Sequence, residues 1–325
     1  MPYVYAFLIF WCLLPLNLFS QNTNSQNTNN RNLGPYTMYE DIIYTAKQKR
    51  ILSFLADDCC RGRSTGSLEN EMVAFYIQRK FKKYGLQEFE SDSFFHPFMA
   101  KTLRAKNIIG YIPALVKSDE YVIISAHYDN IGALNGFVYN GADANASGVT
   151  ALLNIADMFG SMYKAKMGPD KNIIFCAFDA KEISMAGSIN FVKNLKLDKK
   201  KIICEINIDQ LGSTLEPIHK GIDDYIVILG EKSLKKRDRG KIHVCNNFYN
   251  LGLDIDYTFY SSKNFTKLVY KLSDQSSFIN EGIPSLLFTS GFTKHTNKTT
   301  DDINLINFEI LKKRTLLIFY FVTML

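Results

Sequence analysis

The sequence predicts an α/β fold, a mostly parallel, doubly wound sheet with helices on both faces. Two observations predict it. Short runs rich in Ile, Val and Phe, bounded by polar residues, alternate along the chain with amphipathic stretches of helical period. The connections between them are short, which favours a parallel sheet covered on both sides. With 325 residues and 46% hydrophobic content, the chain has enough apolar surface for a large core.

The chain opens with an apolar run through Phe7-Leu8-Ile9-Phe10-Trp11-Cys12-Leu13-Leu14, followed by the small residue Ser20. Residues 1–20 therefore read as a cleavable secretory signal, although no positive charge precedes the run, with an uncleaved N-terminal anchor as the alternative. Residues 21–35 are polar and Asn-rich, with nothing to bury, and are expected to form a disordered linker. A single folded domain is expected over 36–325. Helical period predicts helices over 41–56 and 70–84, the second stopped by Gly85. Branched apolar runs at 107–112 and 121–125 read as strands. A helix over 147–162 follows, then a strand over 171–178 apolar enough to be buried on both faces. A helix at 185–195 and strands at 201–208, 225–229 and 284–288 complete the alternation. From about Asn307 a last helix runs into the apolar tail 316–325, whose ten residues are too few to cross a bilayer and should pack on the sheet.

The net charge of +6 is dispersed, with local clusters only at Lys199-Lys200-Lys201 and Lys235-Lys236-Arg237. No aromatic stripe accompanies them, which argues against a nucleic-acid track. Beyond the signal stand Cys59, Cys60, Cys176, Cys204 and Cys245, an odd and irregular set that argues against a disulfide framework. Cys176 and Cys204 fall in strand runs, where a thiol packs as a small hydrophobe.

Ligand sites of open α/β sheets lie beyond the carboxyl ends of the strands. His127, Glu182 and Asp209 each follow a predicted strand, and His295 lies in a polar loop after the last one. Together they outline a site that no one of them would justify alone. Asp129, two residues past His127, is placed to fix the imidazole. Asn145-Ala146-Ser147 fits a glycosylation acceptor pattern. His96, His219 and His243 fall outside the set and read as ordinary surface or core residues.

The ordered motifs are Ser125-Ala126-His127-Tyr128-Asp129, Gly141-Ala142-Asp143-Ala144-Asn145-Ala146-Ser147-Gly148, Lys181-Glu182, Asp209 and Lys294-His295-Thr296. Upstream stand Gly62-Arg63-Ser64-Thr65-Gly66-Ser67 and Phe81-Lys82-Lys83-Tyr84-Gly85-Leu86. From about residue 57 onward the series resembles the M28 family of zinc exopeptidases, secreted aminopeptidases with a doubly wound α/β fold. The resemblance implies that His127 and Asp209 would ligate one zinc and Glu182 and His295 the other, with Asp129 orienting His127. It also implies a bridging carboxylate where this chain has Ala144, and a glutamate base where it has Lys181. The family's Ser-Asp-His motif appears as Ser273-Asp274-Gln275.

These departures are chemically severe. Without the bridge each metal keeps two protein ligands, below the three of a catalytic zinc. Asp143 is a poor substitute, because one step along a turn redirects the side chain. A lysine ammonium cannot accept a proton from metal-bound water and repels a dication. The expectation is a secreted or periplasmic M28 homologue with weak or no peptidase activity. Zinc is the expected cofactor if any is held, and a metal-free cleft is favoured, with the Lys181 ammonium in the vacated cation position. A peptide or protein amino terminus is the expected ligand. The alternative is an active zinc aminopeptidase, or a related one-metal aminoacyl transferase, using a shifted ligand set.

Overall fold

The computed structural model describes residues 36–325; the expected signal and linker segments lie outside them. In chain order the strands are β1 (Phe95–Ala100), β2 (Leu103–Ile112), β3 (Tyr121–His127), β4 (Gly132–Leu134), β5 (Phe137–Tyr139), β6 (Asn172–Phe178), β7 (Ile202–Ile208), β8 (Tyr225–Leu229), β9 (Asp254–Asp256) and β10 (Ser285–Thr289). Eight of them form one sheet in the order β1-β2-β6-β3-β7-β10-β8-β9, while β4 and β5 pair as a separate hairpin. The centre is parallel, β6 and β7 flanking β3 and β10 joining β7. Consequently the carboxyl ends of all four central strands open on one edge.

The helices are α1 (Thr45–Leu55), α2 (Leu68–Tyr84), α3 (Gly148–Lys164), α4 (Ala186–Asn194), α5 (Lys241–Phe248), α6 (Lys263–Val269), α7 (Gln275–Ile279) and α8 (Phe308–Met324). The pleat of β3 shows how both faces are filled. Val122, Ile124 and Ala126 join the core shared with α1, α2, α3, α5 and α8, while Ile123 joins the one under Phe191 and Val192 of α4 and Phe278 of α7. The apolar tail is the buried side of α8, where Leu317, Ile318, Phe319 and Phe321 are fully enclosed. Among the described residues no helix is long and apolar enough to cross a membrane.

The edges depart from expectation. β1–β2, β2–β6 and β8–β10 are antiparallel, so the sheet is mixed outside its parallel centre. β1 carries Pro97 and a polar His96, and β9 is three residues long, so neither has the run that reveals a strand in sequence. The hairpin turns at Asn135-Gly136, both at positive φ (53° and 82°). The helix expected over 41–56 is interrupted: a 3₁₀ turn at Thr37–Ile42 precedes α1, because Ile43 and Tyr44 are extended.

Candidate functional site

Three chain segments meet beyond the central strands. His127 is the last residue of β3 and is fully buried; its Nε2 lies 3.4 Å from Asp209 Oδ1, just past the end of β7. Its Nδ1 faces the Asp129 backbone oxygen at 3.1 Å and the Asp129 carboxylate at 3.6 Å. Asp129 in turn accepts the backbone N–H groups of Lys181 and Glu182, each at 3.0 Å. One buried carboxylate thus orients the imidazole and pins the loop after β6.

The turn 141–148 is held as firmly. Asn145 Nδ2 donates to the Ile208 carbonyl at 2.8 Å, and its Oδ1 accepts from Gln210 and Gly148 at 3.0 and 3.1 Å. Asn145 is 1% exposed, so its glycosylation pattern is inaccessible in the folded protein. Gly141 sits at φ +56°, and a Cβ there would collide with Asn130 and the Ala144 carbonyl. The Asp301 carboxylate accepts the backbone N–H groups of Asp143 and Ala144 at 2.8 and 3.0 Å. Arg63, wholly buried, donates to the carbonyls of Tyr128, Leu55, Asn140 and Gly141, clamping the segments around His127 to the turn.

Ala144, Lys181, Asp209 and Ser273 line a cavity of about 260 Å³, with Leu272 and Phe292 on its apolar wall. Lys181 Nζ donates to Glu182 Oε1 at 2.9 Å, and the Lys181 side chain is 18% exposed. Asp143 does not face this space. Its Oδ1 accepts from Gly212 at 2.7 Å, Ser213 at 3.2 Å and Ser147 at 3.1 Å, so it ties the turn to the loop after β7. His295 is also apart. Its Nδ1 lies 2.8 Å from the Thr300 hydroxyl, while its neighbour Thr296 lines the cavity. The structure therefore gathers His127, Asp129, Asp209, Lys181 and Glu182, and leaves His295 and Asp143 out of that network. Among the described residues, no three His, Cys, Asp or Glu side chains converge to hold an ion.

The electrostatics follow from this packing. Burial and the nearby Lys181 ammonium pull the His127 imidazole down, but the Asp209 and Asp129 carboxylates outweigh them and it is pushed up to about 10. Burial disfavours ionised Asp209, yet Lys181, His127 and the Ser273 hydroxyl hold its carboxyl well below the usual range. Burial likewise disfavours the Lys181 ammonium, and Asp209 with Glu182 more than compensate, holding it above an ordinary lysine. The Lys181 ammonium has no lone pair with which to accept a proton, and Asp209, held ionised by its partners, is a weak base. The Ser273 hydroxyl donates to Asp209 at 2.6 Å, to a carboxylate held below the usual range and therefore a weak base for its proton. At the two altered positions, a methyl and an ammonium stand where donors to a cation would be needed, so this set does not fit a two-zinc centre.

Sequence reasoning missed Arg63, Asp301 and Ser273 as organisers of the site. Ser273 was visible only as part of a motif, and its line to Asp209 continues inward. Asn207 Nδ2 donates to Ser273 Oγ at 2.9 Å and to Gln275 Oε1 at 2.7 Å. Gln275, at the motif's histidine position, is thus a buried structural amide.

Comparison with known proteins agrees with this architecture. Residues 107–322 match the profile of "Peptidase family M28". A glutamate carboxypeptidase 2 homolog of Caenorhabditis briggsae is 27% identical over 212 residues, 62% of this chain and 26% of that protein. Leucine aminopeptidase 1 of Aspergillus fumigatus is 26% identical over 70% of this chain and 56% of its own length. The chain thus spans less than two thirds of the length of either relative. BSAP, a zinc aminopeptidase from Bacillus subtilis, superposes with a TM-score of 0.65 at 15% identity, over 86% of this chain and 94% of that one. On the profile match, which covers most of the sequence, this chain belongs to peptidase family M28.

Proposed function

We propose that this chain is an extracytoplasmic M28 homologue whose peptidase chemistry is lost or severely impaired, and whose cleft holds the amino terminus of a peptide or protein. The observation that carries the reading is the Lys181–Glu182 ion pair at 2.9 Å, in the position where the family resemblance implies the base, with Ala144 facing the same cavity. A general base must be able to take up a proton, and a paired ammonium has none to gain. The shifted ligand set of an active enzyme would draw on Asp143, whose carboxylate is already bound to the loop 212–213.

The charge of the cleft supports the choice of ligand. The carboxylates of Asp129, Glu182 and Asp209 outnumber the two cations, His127 and Lys181, which favours a ligand bearing an ammonium. The apolar wall at Leu272 and Phe292 suits an adjoining hydrophobic side chain. The apolar run from Phe7 to Leu14 supports export, and amino-terminal sequencing of the protein recovered outside the cytoplasm tests it.

Fluorogenic aminoacyl amides test the chemistry, assayed with zinc or cobalt added. The expected result is no chelator-sensitive turnover. Brisk hydrolysis that chelator removes and Glu182→Ala abolishes would overturn the reading. For ligand binding, short peptides with free amino termini are expected to bind at least about tenfold more tightly than their acetylated forms. Equal affinity would remove the amino terminus as the recognised group.

A further inference from the structure

We propose that the Lys181 ammonium is the resident cation of this cleft, paired with Glu182 in the cavity it shares with Asp209, where the zinc relatives would use metal. The inference rests on the functional reading above and adds a cause for it: the site has been rebuilt around an internal cation rather than merely stripped of ligands.

Position carries the argument. The backbone N–H of Lys181 is anchored on Asp129 Oδ1 at 3.0 Å, and the N–H of Glu182 on Oδ2 at 3.0 Å, so the root of the lysine is fixed against the buried floor. From there the side chain turns back, is 18% exposed, and places Nζ 2.9 Å from Glu182 Oε1. It lines the same cavity as Asp209 and Ala144. A solvated surface lysine would extend outward; this one is folded onto the Glu182 carboxylate.

Carboxylates close to one another repel unless a cation lies between them or one of them takes up a proton. An ammonium supplies that cation with three donors and without the coordination geometry that zinc imposes. It also explains why residue 144 is uncharged. Two positive charges, Lys181 on Glu182 and His127 on Asp209, already serve the carboxylates of the cleft, and a further carboxylate at 144 would add to its excess of negative charge. The two departures from the family pattern are one change: lysine makes the bridging aspartate unnecessary and then unfavourable. Ala144→Asp alone should therefore not create a zinc site, because the ammonium still occupies the place.

The test uses the full chain as wild type, Lys181→Met, Lys181→Arg and the double variant Ala144→Asp/Lys181→Glu. Thermal unfolding is followed with zinc and with EDTA, and zinc affinity is measured by competition with a chromogenic chelator. Wild type and Lys181→Arg should melt at the same temperature in zinc and in EDTA. Lys181→Met should melt about 2–5 °C lower in EDTA and recover in zinc. Its zinc affinity, and that of the double variant, should exceed wild type by at least about tenfold. Stoichiometric zinc on the wild type, or a Lys181→Met protein as stable as wild type with no gain in zinc affinity, overturns the proposal. Should Lys181→Met not fold, the double variant decides: zinc binding no tighter than wild type is then the refuting result. Turnover by metal-free wild type would sink the functional reading and leave the internal cation standing. Tight zinc on an inert wild type would do the reverse.

Discussion

The two sides of the cleft differ in how they are held. On one side His127, Asp129 and Asp209 are at most 6% exposed, and each is bound to backbone or side-chain partners from another part of the chain. On the other, Ala144 and Lys181 depart from the family pattern, His295 stands outside that network, and the Glu182 side chain is 28% exposed. The first side is welded to the fold: Asp129 alone fixes an imidazole and two loop N–H groups. On the second, the backbone is pinned by Asp301 and Asp129, but the side chains of Lys181, Glu182 and His295 make few contacts. On the proposed reading, chemistry is dismantled on one side while the architecture persists on the other, and a family match over residues 107–322 is compatible with a lysine at the position where the resemblance implies the base.

The sharpest way to break this comparison is to cut the clamp beneath the intact side. Arg63→Met removes donors to four backbone carbonyls in a buried region and should destabilise by about 4 kcal/mol. Urea unfolding should show a lower midpoint at unchanged slope. A loss no larger than that of an ordinary surface substitution would mean the clamp is not what holds His127 and the turn in place.

Next in size is Asp129→Asn. The amide would present an N–H to one of two backbone donors and leave the buried imidazolium with one fewer counter-charge, a loss of about 3 kcal/mol. Its counterpart across the cleft is Glu182→Ala. That pair is partly solvated, so about 0.5 kcal/mol is expected from the same urea titration. If the two substitutions cost the same, the division into a structural and a dispensable side fails.

The same contrast explains what the sequence revealed. The central strands were legible because β3, β6 and β7 are buried on both faces and read as unbroken apolar runs. His127 and Asp209 were legible because they end such runs. Arg63 and Asp301 were not, since their partners lie up to 78 and 158 residues away and a lone Arg or Asp in a loop carries no periodic signal. The antiparallel edges were hidden for a related reason: Pro97 in β1 and three residues in β9 give no strand pattern, and pairing direction is a tertiary property. The destination of Lys181 was the hardest to read, because a lysine after a strand is as consistent with solvent as with a carboxylate cage. Only the anchoring of its backbone on Asp129 decides it.

His295→Ala is the smallest expected effect and the most discriminating. The resemblance implies a ligand to zinc at this position, yet the imidazole is bonded to Thr300 on a partly exposed loop. If the altered side carries no metal chemistry, the substitution should change stability by less than about 0.5 kcal/mol and leave peptide affinity within about twofold. It should also leave the zinc response of the Lys181→Met protein unchanged, because His295 is bonded to Thr300 outside the network around His127. A zinc response that disappears with His295 would show that the loop can swing its imidazole into the cleft. The side now described as dismantled would then be a ligand set held apart by one ammonium, and the ammonium alone would separate this chain from a metal-binding one.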